Sequence, residues 1–199
     1  MIRPRRWRFP ALAAAAVLTA AAAQLPLRLV LPDGMAATDA TGSVWAGHIT
    51  GGQWRGAALG DMDAGLRFWP LLAGRADMAV AGPGLTGTLH LAGREVGVES
   101  LSGRIRLATT LPIGAIELDG VTAVFDSGQC LRAAGRVQAL ASTPGGGMMQ
   151  GDVRCDGGLL RMELQSAAVT LDLRLSGDGR YSGSAVLGAG PAMQLEGRI

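Results

Sequence analysis

The chain has 199 residues, 31 of them glycine and 18 arginine, with neither lysine nor asparagine. It is 48% apolar and carries a formal net charge of +2. That length holds one domain of ordinary size or two small ones. Four of the arginines fall in the first eight residues, leaving 14 against 16 acidic residues over the rest; a nucleic-acid binder needs a basic face, and none is visible in the sequence.

The chain begins with a basic end, "MIRPRRWR" (residues 1–8), followed by the apolar run Phe9–Leu27, in which only Thr19 and Gln24 are polar. Nineteen residues as a helix reach about 28 Å, close to the thickness of a hydrocarbon core. Arginines ahead of the run hold the N-terminus in the cytoplasm and send the remainder across. The competing reading is a cleaved signal peptide, because "AAAQ" (Ala21–Gln24) offers the small residues a signal peptidase accepts. Either way, the bulk of the chain is expected outside the cytoplasm. The organisation expected is a cytoplasmic end (1–8), a transmembrane signal-anchor (9–27) and a periplasmic β domain (28–199).

"LRLVLP" (Leu27–Pro32) reads as extended, and "DGMAATDATG" as turn material. "TGSVWAGHITGGQW" (Thr41–Trp54) holds two of the four tryptophans among four glycines, too many for a stable helix. Its period of two predicts a strand, a Gly-Gly turn and a second strand, with Trp45 on one arm and Trp54 on the other. In "ALGDMDAGLRFW" (Ala58–Trp69), Met62, Ala64, Leu66 and Phe68 alternate with Asp61, Asp63, Gly65, Arg67 and Trp69. "PLLAG" (Pro70–Gly74) fits a single helical turn that opens on proline and closes on glycine. "ADMAVAG" returns as a strand.

From there the alternation is regular. Leu85, Gly87, Leu89 and Leu91 oppose Thr86, Thr88 and His90. Later, Leu160, Met162 and Leu164 oppose Arg161, Glu163 and Gln165, and Val169, Leu171, Leu173 and Leu175 oppose Thr170, Asp172 and Arg174. "LATTLPIG" (Leu107–Gly114) and "ASTPGGGMM" (Ala141–Met149) read as breaks. Short strands with a glycine turn every eight to twelve residues mean antiparallel meanders with one apolar face. The fold class predicted is mainly β: one N-terminal transmembrane helix, then a glycine-rich antiparallel domain in one sheet or two sub-sheets.

Few residues suggest chemistry. "GPGLTG" (Gly82–Gly87) has the letters of a dinucleotide fingerprint, but that motif needs a following helix, and "TLHLAG" is a strand. His48 and His90 each read as half-exposed strand residues. Asp61 and Asp63 read as a solvated strand face. Cys130 and Cys155, two cysteines in an exported domain, are expected to form a disulfide; the alternative is two buried thiols. No catalytic, metal or cofactor site is predicted.

The anchor, the exported β domain and "TGSVWAGHI" together resemble type II secretion system protein N. That family shows a glycine-threonine/serine-valine-tryptophan-x-glycine signature, matched by Gly42, Ser43, Val44, Trp45 and Gly47. A later segment is matched by Phe68, Trp69, Pro70, Leu71, Leu72 and Gly74. Another is matched by Gly128, Cys130, Ala133, Gly135 and Val137, with Cys155 after it. The resemblance implies a non-enzymatic inner-membrane accessory supporting export of folded periplasmic proteins across the outer membrane. Its partners would be other inner-membrane and periplasmic components of the machine, and the bilayer itself through residues 9–27, with no nucleic acid, small-molecule substrate or cofactor. The runner-up is a β-groove that cradles lipid on its apolar face. Trp45 is expected to anchor the first hairpin in the core; the other role open to it is an exposed grip on a partner.

Overall fold

A computed structural model describes residues 24–29, 35–54, 57–106, 113–141 and 147–198. Most of the expected anchor (9–23), the Trp54 side chain and the centres of the two predicted breaks lie outside the described residues.

The strands are β1 (Met35–Ala36), β2 (Asp39–Ser43), β3 (Ala46–Trp54), β4 (Ala57–Leu66), β5 (Ala76–Ala81), β6 (Leu85–Ala92), β7 (Glu95–Arg106), β8 (Ile113–Asp126), β9 (Gln129–Ala141), β10 (Met148–Asp156), β11 (Leu159–Gln165), β12 (Val169–Leu175), β13 (Arg180–Leu187) and β14 (Met193–Arg198). One five-residue helix, α1 (Phe68–Leu72), and one 3-10 turn, Leu27–Leu29, are the helical pieces among the described residues. From β3 onward every strand pairs antiparallel with the next, and β1 and β2 pair in line along the free edge of β3. The result is one continuous, unclosed meander sheet in place of two sub-sheets.

That sheet rolls around two apolar cores. The first gathers Leu27, Ile49, Met62, Ala64, Met78 and Val80. The second runs from β8 to β13 and includes Val137, Met149, Leu164 and Leu171, each about 1% exposed. Curvature brings distant turns together: the Gly177 N–H donates to the Gly128 carbonyl oxygen at 3.0 Å, although β10 and β11 lie between their hairpins. Near the first core, β4 and β7 meet directly at Ala58 and Arg106, past the tip of the β5–β6 hairpin. "GPGLTG" forms that tip, with the Gly84 carbonyl accepting from Arg104 N–H at 2.7 Å, and it continues into strand β6. The fingerprint letters therefore mark a hairpin wedged between two strands, without the helix that phosphate binding requires.

Several local expectations change. Leu27–Leu29 is a 3-10 turn rather than an extended segment, and Leu27 is fully buried in the first core. The first hairpin turns at Val44–Trp45, where Ser43 pairs with Ala46, not at Gly51–Gly52. Both glycines lie inside β3, at a register shift against β4. There the Gly51 N–H donates to the Asp61 carboxylate at 2.8 Å, so a side chain on the neighbouring strand caps a bulge rather than a turn. Phe68 leaves the strand alternation to open α1, because β4 ends at Leu66 and the Arg67 N–H donates to the Asp77 carbonyl. The predicted turn over Pro70–Gly74 is thus helical but begins two residues earlier, and Gly74 ends it at φ +73°. Met148 and Met149 belong to β10, not to the loop before it.

Candidate functional site

The residues singled out in the sequence fall into two places. Gly42, Val44, Trp45, Gly47, Trp69, Pro70 and Leu72 meet at one end of β2–β5, while Cys130, Gly135 and Cys155 belong to the second core.

The first place is built from backbone upward. Val44 and Trp45 have no turn signal of their own, and tertiary hydrogen bonds hold them. Val44 N–H donates to the Leu25 carbonyl at 2.9 Å, and its carbonyl accepts from Leu66 N–H at 2.8 Å. The turn is thus clamped between the start of the domain and the end of β4, and the Val44 side chain is 1% exposed. Gly42 and Gly47 are directly opposed in the β2–β3 ladder. A Cβ on Gly47 would come 2.6 Å from Leu27 Cδ2 and 2.9 Å from the Ser43 and Thr41 carbonyl oxygens. Only glycine lets Leu27 lie flat on the hairpin.

With Val44 serving as the buried anchor, Trp45 is only half-buried. Its ring lies 6.3 Å from that of Phe68, which meets Trp69 edge-on at 5.7 Å. Pro70 accepts from the Ala73 and Arg75 N–H groups at 3.0 Å and closes α1 on itself. The outcome is an exposed apolar platform: Trp69 is 78% exposed, Leu72 68% and Phe68 56%. Arg67 and Arg75 flank it, both exposed.

In the second place, Cys130 and Cys155 are bonded to each other, with Cα atoms 5.6 Å apart. The bond joins the start of β9 to β10, where the two strands have diverged and their ladder spans only Leu140–Arg136 against Met148–Asp152. Gly135 has φ +115°, and a Cβ there would lie 2.6 Å from Val121 Cα. It occupies the bulge where β8 and β9 change register, a backbone conformation that a side chain would strain.

A third feature escaped the sequence reading. His90 is buried, and its Nδ1 lies 2.8 Å from the carboxylate of Asp77, also buried. Nε2 lies 3.7 Å from Glu95. The strand alternation places His90 opposite the leucines, on a face expected to be half-exposed, and the structure buries it. The register pairs His90 with Gly97, which puts no side chain on that face, so the ring has room to sink beside Asp77. That pairing is not visible in the sequence alone. His48, by contrast, is exposed and bonded to exposed Asp63 at 2.8 Å. Leu91, placed with the leucine face, is exposed at the strand end.

On the outer face of β10–β12, Arg161 forms a two-pronged ion pair with Asp172, at 3.1 and 2.6 Å, and Arg154 pairs with Glu163 at 3.0 Å. The hydrogen bond from Arg161 holds the Asp172 carboxyl below the usual carboxylate range, against the opposing effect of burial. Asp178 is also lowered, first by the Ser176 hydroxyl and then by the Arg180 backbone N–H. Among the described residues, no group of three His, Cys, Asp or Glu side chains is placed to hold a metal ion, and no helix is long and apolar enough to cross a membrane. The arrangement suits surface contact: an exposed aromatic platform on a disulfide-tied sheet.

Comparison with known families gives one match: the family described as type II secretion system (T2SS), protein N, over residues 33–196. No curated protein and no solved structure matches the chain.

Proposed function

Because the chain belongs to the type II secretion system protein N family, an accessory of type II secretion, we propose that it acts from the inner membrane, anchored by the apolar run that begins at Phe9. Its β domain lies in the periplasm, where it supports export of folded proteins across the outer membrane by contacting other components of the machine. It performs no catalysis. The observation that carries this reading is the family match, which spans nearly all of the β domain. Charge order at the N-terminus supports the topology, with Arg3, Arg5, Arg6 and Arg8 preceding the uncharged run.

The packing supports protein contact over lipid carriage. A groove that holds acyl chains needs an open apolar face, whereas Val137, Met149, Leu164 and Leu171 fill the inner face of the sheet and are almost wholly buried. The buried His90–Asp77 pair joins adjacent strands, which fits a cross-strand polar bridge.

The test is deletion of the gene. Export of type II substrates should fall while their passage across the inner membrane continues. Normal secretion together with an altered outer-membrane lipid composition would replace this reading with the lipid one. A reporter active only outside the cytoplasm, fused after Ile199, should be active; an inactive fusion would contradict the topology.

A further inference from the structure

The apolar run and the folded domain share a boundary that leaves no slack. Leu25 is already hydrogen-bonded to Val44, and Leu27 is the most deeply buried side chain of the first core. The chain free to cross a bilayer therefore ends at Gln24. Residues 9–24 number sixteen, and as a helix they cover about 24 Å, roughly 6 Å short of a hydrocarbon core. If they are the anchor, the end of the domain that carries Leu25 is drawn into the membrane interface.

That end is where the aromatic platform stands. Leu25 binds Val44; Val44 is followed by Trp45; Trp45 packs on Phe68, and Phe68 on Trp69. Leu29, 66% exposed, follows Leu27 on the same 3-10 turn. Tryptophan and leucine offered outward together match the composition of proteins at the interface, where an indole rests its apolar body among acyl chains and its N–H among headgroups. Interfacial side chains reach about 5–10 Å inward, which matches the shortfall. Arg28, on the 3-10 turn, and Arg67 and Arg75, on either side of α1 in the chain, are exposed. None forms an ion pair with a described residue, and cations in that position suit an anionic lipid surface.

We infer that α1 and its aromatic neighbours form a second membrane contact, inserting Phe68, Trp69 and Leu72 into the outer-leaflet interface and fixing the orientation of the β domain on the bilayer. The inference rests on the anchoring proposed above. Its occupant is lipid, and the platform is thereby removed from the surfaces left for protein partners.

The experiment uses the full chain reconstituted in phosphatidylcholine–phosphatidylglycerol vesicles whose acyl chains carry bromine either near the headgroup or near the bilayer centre. Subtracting the emission of Trp69→Phe from that of the natural chain isolates Trp69. Carbonate extraction of the same vesicles reports whether the chain is anchored. The expected result is a carbonate-resistant chain in which bromines near the headgroup cut Trp69 emission by roughly half, and central bromines cut it less. A carbonate-resistant chain with Trp69 unquenched by either lipid overturns the second contact and leaves the anchor standing. Stronger quenching by central bromines overturns the interfacial placement. Release by carbonate overturns the anchor and the second contact with it.

Discussion

Leu27 packs on Gly47 with no room for a Cβ between them, and a double-mutant cycle on that pair gives a quantitative test of the fold. Leu27→Ala removes three carbons from a fully buried position, a loss of about 2.4 kcal/mol by transfer alone. The cavity term raises it, and relaxation of the nearby chain start limits it, so about 3 kcal/mol is expected, low in the range for such changes. Gly47→Ala places a methyl 2.6 Å from Leu27 Cδ2 and 2.9 Å from two carbonyl oxygens of the same hairpin. Overpacking of this kind costs about 2 kcal/mol. In the double variant the leucine methyl is gone but both carbonyls remain, so only part of the clash is relieved. The double variant should therefore cost about 1 kcal/mol less than the sum of the two single costs, a coupling expected of residues in contact. Urea unfolding of the chain from Gln24 onward, followed by tryptophan emission and far-ultraviolet dichroism, measures all four corners of the cycle. Additivity within about 0.5 kcal/mol, or a Leu27→Ala cost near zero, would refute the packing of Leu27 inside the domain.

Two further outcomes follow from the second core and its outer face. Cys130→Ser or Cys155→Ser opens a loop of 25 residues and should lower stability by roughly 3.5 kcal/mol from closure entropy; each should also abolish a faster-migrating band on non-reducing gels, and unchanged mobility would show that the bond does not form. Asp172 has a folded pKa below its unfolded value, so its contribution is fully present above about pH 4 and lost as pH falls through the lower folded value. Asp172→Asn should therefore destabilise by about 1 kcal/mol at neutral pH and by progressively less in acid, whereas a penalty constant with pH would contradict the ion pair as its cause.

How much of this the sequence carries depends on whether the signal is local. The strands of the C-terminal half are plain in the alternation: Leu171 and Leu173 are buried and Thr170 and Arg174 exposed, as the period of two requires. The first hairpin misleads because its information is tertiary. Gly51–Gly52 carries the residue types of a turn, yet Asp61 from the neighbouring strand holds Gly51 as a bulge. Val44–Trp45 carries no turn residues, yet Leu25 and Leu66 clamp it. The core role expected for Trp45 passes to Val44 for the same reason. Phe68 follows the strand period as far as the sequence shows, and only the end of β4 turns it outward. The platform of Phe68, Trp69 and Leu72 is legible as a set of apolar residues but not as an exposed one, since exposure depends on what else packs there. His90 teaches the same lesson in reverse: its burial depends on a partner in register, Gly97, that no local pattern announces.

Participation in type II secretion is most directly measured by a pulse-chase of one secreted substrate in cells lacking this gene. Loss of the substrate's signal peptide reports passage across the inner membrane, and appearance in the medium reports passage across the outer one. Signal-peptide removal at the normal rate, with mature folded substrate accumulating in the periplasm and restored to the medium by the natural chain, is the predicted result. Release into the medium at an undiminished rate would contradict it.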